Sequence, residues 1–178
     1  MGKGLSLVVS LVMIVALAMV GCGTDSEVNG NSGANGKVKW PKFTYEIAHR
    51  YKTSSLEEAS KLVGWDVPVP VPTYLPEGCE IREVIAEGSG SGSRVYIVIS
   101  DKEIEWNGNE FRSVMVIRVA YSPGGLPLLK LVPKLQDRGD HYTLWWQWPS
   151  APTHELALSA SKDIPKEELF KVRDGMQY

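Results

Sequence analysis

Residues 94–121 read RVYIVISDKEIEWNGNEFRSVMVIRVAY, and this stretch decides the fold class. Two runs rich in Ile, Val and aromatic residues, 94–106 and 111–121, flank Asn107-Gly108-Asn109, a turn signal that joins strands as an antiparallel hairpin. In the second run Phe111, Met115, Ile117, Val119 and Tyr121 share one parity while Arg112 and Arg118 take the other. Successive side chains of a strand point to opposite faces, so one face packs and the other is partly wet.

Strand chemistry continues on both sides. Residues 79–87 precede the hairpin, and residues 142–148 (YTLWWQW) and 154–160 (HELALSA) follow it around a prolyl loop at 149–153. Residues 67–76, VPVPVPTYLP, form an irregular extended arm, because alternate prolines lack a donor and bias their predecessors to extended geometry. Ser55-Leu56-Glu57-Glu58 fits a capping box ahead of Leu56, Ala59, Leu62 and Val63 at helical spacing, with Gly64 as the stop. Pro165 in a first turn, Glu167 and Glu168 behind it, an apolar side at Leu169 and Val172, and Gly175 mark a second helix. The order predicts an α+β domain: an antiparallel sheet of about five to six strands, a short N-terminal helix, and a C-terminal helix packed on the sheet.

Ahead of the domain lies an address. Lys3 precedes an apolar run over residues 5–20, broken only by Ser6 and Ser10 and ending in small residues at Gly21 and Cys22. That is the pattern of a secretory signal, although about 17 to 20 apolar residues also reach the lower limit for spanning a bilayer. The stretch Leu17-Ala18-Met19-Val20-Gly21-Cys22 resembles the lipobox of bacterial lipoproteins, with Met19 in place of the usual Leu. The resemblance implies removal of residues 1–21 and a diacylglyceryl thioether on Cys22, which places the protein outside the cytoplasm, held to the membrane by lipid. Two or more acyl chains anchor stably where one does not. Loss of Lys3 takes 19 basic against 21 acidic residues to a net charge of −3, so lipid and not basic charge does the holding. Residues 22–38 then serve as the lipidated cysteine and a tether rich in Gly, Asn and Ser, with a span on the order of 20 Å. Residues 39–178 form the single folded domain.

The pairing of Pro72-Thr73-Tyr74-Leu75-Pro76-Glu77-Gly78 with Asp163-Ile164-Pro165-Lys166-Glu167-Glu168-Leu169 resembles a bacterial family of unknown function. That family is found in envelope lipoproteins and in extracytoplasmic parts of anti-sigma-factor-like proteins. The likeness runs over residues 55–176; Cys79 stands where the family usually has Tyr or Phe, and residues 172–175 also depart from its pattern. It supplies no catalytic residues to carry over.

Composition narrows the chemistry. With 43% hydrophobic and 22% charged residues and two cysteines, the chain is not collagen-like, disulfide-stapled, coiled-coil or wholly disordered. A net charge of −2 without a basic run gives no support for nucleic-acid binding. His49, His141 and His154 are the available bases, and none sits in a nucleophile-elbow or metal-ligand context. Cys79 reads as a packed thiol, for which Arg82 is the local cation. Gly88-Ser89-Gly90-Ser91-Gly92-Ser93 feeds a strand and lacks the lysine of a phosphate loop, so it reads as a floppy hairpin loop. Asp101, Glu103 and Glu105 alternate as a solvated acidic strand face. No catalytic set, metal site or cofactor is read from the sequence.

The aromatic cluster stands apart. Alternation puts Tyr142, Leu144, Trp146 and Trp148 on one side of their strand and Trp145 with Gln147 on the other, so both sides carry indoles. One side belongs to the core, and the terminal helix is expected to cover the other. If it does not, Trp145 offers an exposed contact for a protein, glycan or lipid of the envelope. The expectation is a non-enzymatic binding or accessory module, with Tyr142, Trp145, Trp146 and Trp148 as candidate binding residues. The rivals are an envelope hydrolase using His141 or His154, and a lipid carrier with a hollow sheet.

Overall fold

The computed structural model describes residues 38–48, 51–53, 55–122 and 132–178, all within the unit that spans residues 31–178. The signal, Cys22 and all of the tether but Val38 lie outside the described residues, as does His49. The described residues are mostly strand with two helices, consistent with an α+β class.

Strand β1 (Phe43–Glu46) comes first, then β2 (Tyr51–Thr53) and helix α1 (Leu56–Val63). The helix begins where Ser55 Oγ accepts the Glu58 amide at 3.1 Å, and it ends at Gly64, whose φ of 75° lies in the left-handed region. The extended arm follows. It is mostly irregular, but β3 (Val71–Pro72) pairs antiparallel with a terminal strand, β12 (Met176–Gln177).

Next come β4 (Glu80–Glu87), β5 (Arg94–Ser100), β6 (Trp106–Asn107), β7 (Glu110–Ser113) and β8 (Met115–Tyr121). The long hairpin expected from residues 94–121 is instead split between two sheets. Strand β5 stops at Ser100, where Asp101 turns away to an ion pair with Lys42 at 2.9 Å. The Asn107-Gly108-Asn109 turn closes only the short β6–β7 pair. The chain then changes sheet at Val114, whose amide donates to the Ile99 carbonyl at 3.1 Å, and β8 pairs with β5 in long register. Phe111 therefore belongs to a different layer from Met115, Ile117 and Val119.

The chain closes with β9 (Lys134–Asp137), β10 (His141–Gln147), β11 (His154–Ser161) and helix α2 (Lys166–Asp174). Pro165 stands at the N-cap of α2, one position before the first turn, and Gly175 ends it with an ordinary negative φ of −86°.

The main sheet has seven strands, two or one more than expected, in the order β2-β4-β5-β8-β11-β10-β9, every neighbouring pair antiparallel. A second sheet, β1-β7-β6, has three. Ala59 and Val63 of α1 and Leu169 and Val172 of α2 are buried with Ile97, Ile117, Leu144 and Leu158 on one face of the main sheet. Phe43, Ile47 and Phe111 pack with Ile85, Tyr96, Val98 and Val116 on the other. The layers are therefore helices, large sheet, small sheet.

The loop at residues 88–93 is not floppy. Positive φ at Gly88, Gly90 and Gly92 lets it fold back. Its backbone bonds to Val63 at 3.3 Å and Tyr121 at 3.1 Å, while the Trp65 indole donates to Ser93 Oγ at 2.8 Å.

Candidate functional site

Among the described residues the small sheet covers only part of the second face, and strand register defines the rest. One row across the large sheet runs Ile85, Tyr96, Arg118, Ala157, Trp145, Lys134; the next runs Glu87, Arg94, Ala120, Glu155, Gln147. Ile85 and Tyr96 lie under the small sheet, with Tyr45 of β1 against the Tyr96 ring at 6.0 Å. Beyond Tyr96 the rows become polar.

Ala157 separates Arg118 from Trp145, and its methyl group leaves room for the guanidinium to lie over the indole, 4.8 Å from the ring centroid. Arg138, just beyond β9, lies 5.9 Å from the same ring. Trp145 is thus half-buried and flanked by two guanidinium groups. Each such contact is worth about 0.5–2 kcal/mol, depending on how dry it is. The expectation that the terminal helix covers this side is overturned: α2 packs on the face of Leu144 and Trp146. Strand alternation leaves helix and Trp145 on opposite faces.

Two ion pairs border the stack. Arg118 donates to Glu155 at 2.8 Å, and Arg94 donates to Glu87 at 3.1 Å, where the Tyr96 hydroxyl also donates at 2.7 Å. Burial pushes the Glu155 carboxyl above its ordinary range, against the pull of Arg118 and then Arg94. Burial first, then the Glu87 carboxylate, pushes the Tyr96 phenol upward. Arg118 Nε and Trp145 Nε1 are both buried with no hydrogen-bond partner among the described residues. Buried donors without acceptors cost about 1–3 kcal/mol each. Between Arg94 and Glu155 the small side chain of Ala120 floors an open groove of about 220 Å³, rimmed by Gly92, Tyr121 and Ser122.

The other candidate aromatics lie on the helical face. Trp146 and Trp148 are buried in the core, and Trp146 donates to the Tyr178 hydroxyl at 2.8 Å. Tyr142 is half-buried beneath the ammonium groups of Lys166 at 4.8 Å and Lys162 at 5.7 Å. The structure does not bring these three together with Trp145.

His154 is buried among Trp65, Tyr121 and Trp148 at 4.8, 5.0 and 5.1 Å, with Nδ1 3.2 Å from Thr153 Oγ1 and Nε2 unpartnered among the described residues. Burial lowers its pKa. His141 Nδ1 lies 2.7 Å from its neighbour Asp140, and its ring packs 5.2 Å from Phe43. Neither ring has both a carboxylate and a Ser or Cys partner among the described residues. Burial first, then Asp101, pushes the Cys79 thiol up to about 11, and Arg82 contributes least. Asp101 and Glu103 do not form a shared strand face, since Asp101 pairs with Lys42 and Glu103 with Arg82 at 3.3 Å. No cluster of three or more potential metal ligands occurs among the described residues.

Sequence reasoning singled out Trp145 but missed Arg118 and Arg138 as its partners. Parity alone places Arg118 on the open face; only the pairing of β8 with β11 and β11 with β10 brings it beside the indole. No helix among the described residues is long and apolar enough to cross a membrane. No family model matches the chain, and neither does any curated protein or solved structure.

Proposed function

We propose that the protein is an extracytoplasmic lipoprotein, anchored through Cys22, whose folded domain is a non-enzymatic binding module of the cell envelope. The lipobox-like residues 17–22, the Gly- and Asn-rich tether and the likeness of residues 72–78 and 163–169 to an envelope lipoprotein family support the location. The observation that carries the binding role is the half-buried Arg118–Trp145 stack, on a part of the second face over which the small sheet does not pack.

The test compares envelope components retained by the full-length protein and by its Trp145→Ala variant, each extracted in mild detergent. One or more components lost from the variant, with the fold intact by circular dichroism, is the expected result. Identical retention overturns the role of this face.

A further inference from the structure

Residues 72–78 and 163–169, far apart in the sequence, meet in the fold. The Tyr74 hydroxyl donates to Glu168 Oε2 at 2.6 Å. Lys171 Nζ donates to Glu168 Oε1 at 2.6 Å and lies 5.7 Å from the Tyr74 ring. Beside this bond, the Thr73 amide and hydroxyl both donate to the Gly175 carbonyl, at 2.8 and 2.5 Å, and β3 pairs with β12 next to it. The approach is close enough to need a glycine at position 175: a Cβ there would lie 3.0 Å from Tyr74 Cβ and 3.1 Å from the Tyr74 backbone nitrogen. We infer that the arm at residues 67–76 and the segment 166–178 form one strap, clasped at Tyr74–Glu168 and Thr73–Gly175, which lifts from the large sheet as a unit.

The bonding pattern sets this unit apart. Pro68, Pro70, Pro72 and Pro76 have no amide to offer a sheet, and among the described residues the arm's backbone bonds to other elements run only to residues 175–177. Strands β3 and β12 accordingly form their own sheet, apart from the large one. Helix α2 has nine residues, too few to hold its shape alone in water, so it keeps that shape through what it packs against. The bond to the Glu168 carboxylate joins arm to helix, and such charge-assisted bonds are roughly twice as strong as neutral ones. The segment is tied to the large sheet by a neutral bond, from the Trp146 indole to the Tyr178 hydroxyl at 2.8 Å, and by the Lys166 ammonium 4.8 Å from the Tyr142 ring. Cooperative units of this kind open below the global unfolding free energy. Lifting the strap takes Leu169, Val172 and Tyr178 off the side that holds Leu144 and Trp146, so the strap gates an apolar face. That face is opposite Trp145 and does not depend on the binding role proposed there.

The test is native-state amide exchange of the full-length protein in non-ionic detergent micelles at low urea concentrations. The Thr73 amide and the α2 amides at 170–174 are expected to share one opening free energy, below that of the Ile97 and Ile117 amides in the middle of the large sheet. Tyr74→Phe removes the hydroxyl alone and is expected to speed exchange at Thr73 and in the helix by one common factor, about tenfold. Ile85→Val, on the other face beneath the small sheet, is expected to speed Ile97 and Ile117 about fivefold. It leaves the strap amides unchanged, because Ile85 stays packed when the strap is open. Strap amides with the opening free energy of the sheet, unequal factors for arm and helix in Tyr74→Phe, or a strap that speeds up in Ile85→Val each overturn the inference.

Discussion

His154 sits among three aromatic rings with Nε2 unpartnered, an environment that tolerates neutral imidazole and penalises imidazolium. Its pKa in the folded chain is below the ordinary 6.5 because of burial, so between the two values the unfolded chain holds a proton that the folded chain does not. The contribution is fully present above about pH 6.5 and is lost as pH falls toward the folded value. Urea unfolding at pH 7.5 and pH 5 is therefore expected to show a smaller loss on acidification in His154→Phe than in the wild type. The comparison with the variant matters because Glu155, whose pKa is raised, acts with the opposite sign. Equal losses in the two proteins would contradict this reading of His154.

Cys79 offers a second check at the same scale. With its pKa pushed up to about 11, the thiol is almost wholly protonated at pH 8. Thiolate is the reactive form, so maleimide labelling mapped to Cys79 is expected to be at least about 100-fold slower in the native protein than in urea. Comparable rates would show that the thiol is neither buried nor protonated.

At the scale of elements, α1 depends on its cap. Ser55→Ala removes the acceptor of the Glu58 amide and is expected to cost about 1 kcal/mol in chemical unfolding; no change would mean that the bond contributes nothing. The loop at 88–93 is held by a bond that spans 28 residues, from the Trp65 indole to Ser93 Oγ. Ser93→Ala leaves the indole donor without that acceptor, with an expected loss of about 1–3 kcal/mol. Amide exchange at Gly90 and Gly92 is expected to rise with it, whereas unchanged protection would show that the loop is held by other contacts.

The same elements explain what the sequence disclosed. Strand β5, strand β8 and helix α1 were legible because Ile, Val and the Ser55–Gly64 punctuation are local signals. Strands β2 and β9 were not, since Tyr51–Thr53 and Lys134–Asp137 are short edges that owe their conformation to a paired neighbour. The sheet change at Val114 was also hidden, because hydrophobic character runs on through residues 111–121 while the layer changes beneath it. Likewise, the sequence marked Trp145 as unusual, but its cationic partners arrive through cross-strand register that local patterning does not encode.

For the whole folded unit, the layers separate two faces. Among the described residues, helices and aromatic core close one face, the small sheet closes part of the other, and Trp145 lies half-buried between Arg118 and Arg138 on what remains. The proposed residence of the protein at the envelope rests on acyl chains at Cys22. Intact mass and amino-terminal peptide mass of the protein extracted from its native membrane test that claim most directly. The account predicts a chain beginning at Cys22 and carrying a diacylglyceryl group; a chain that retains Met1 with an unmodified Cys22 would contradict it.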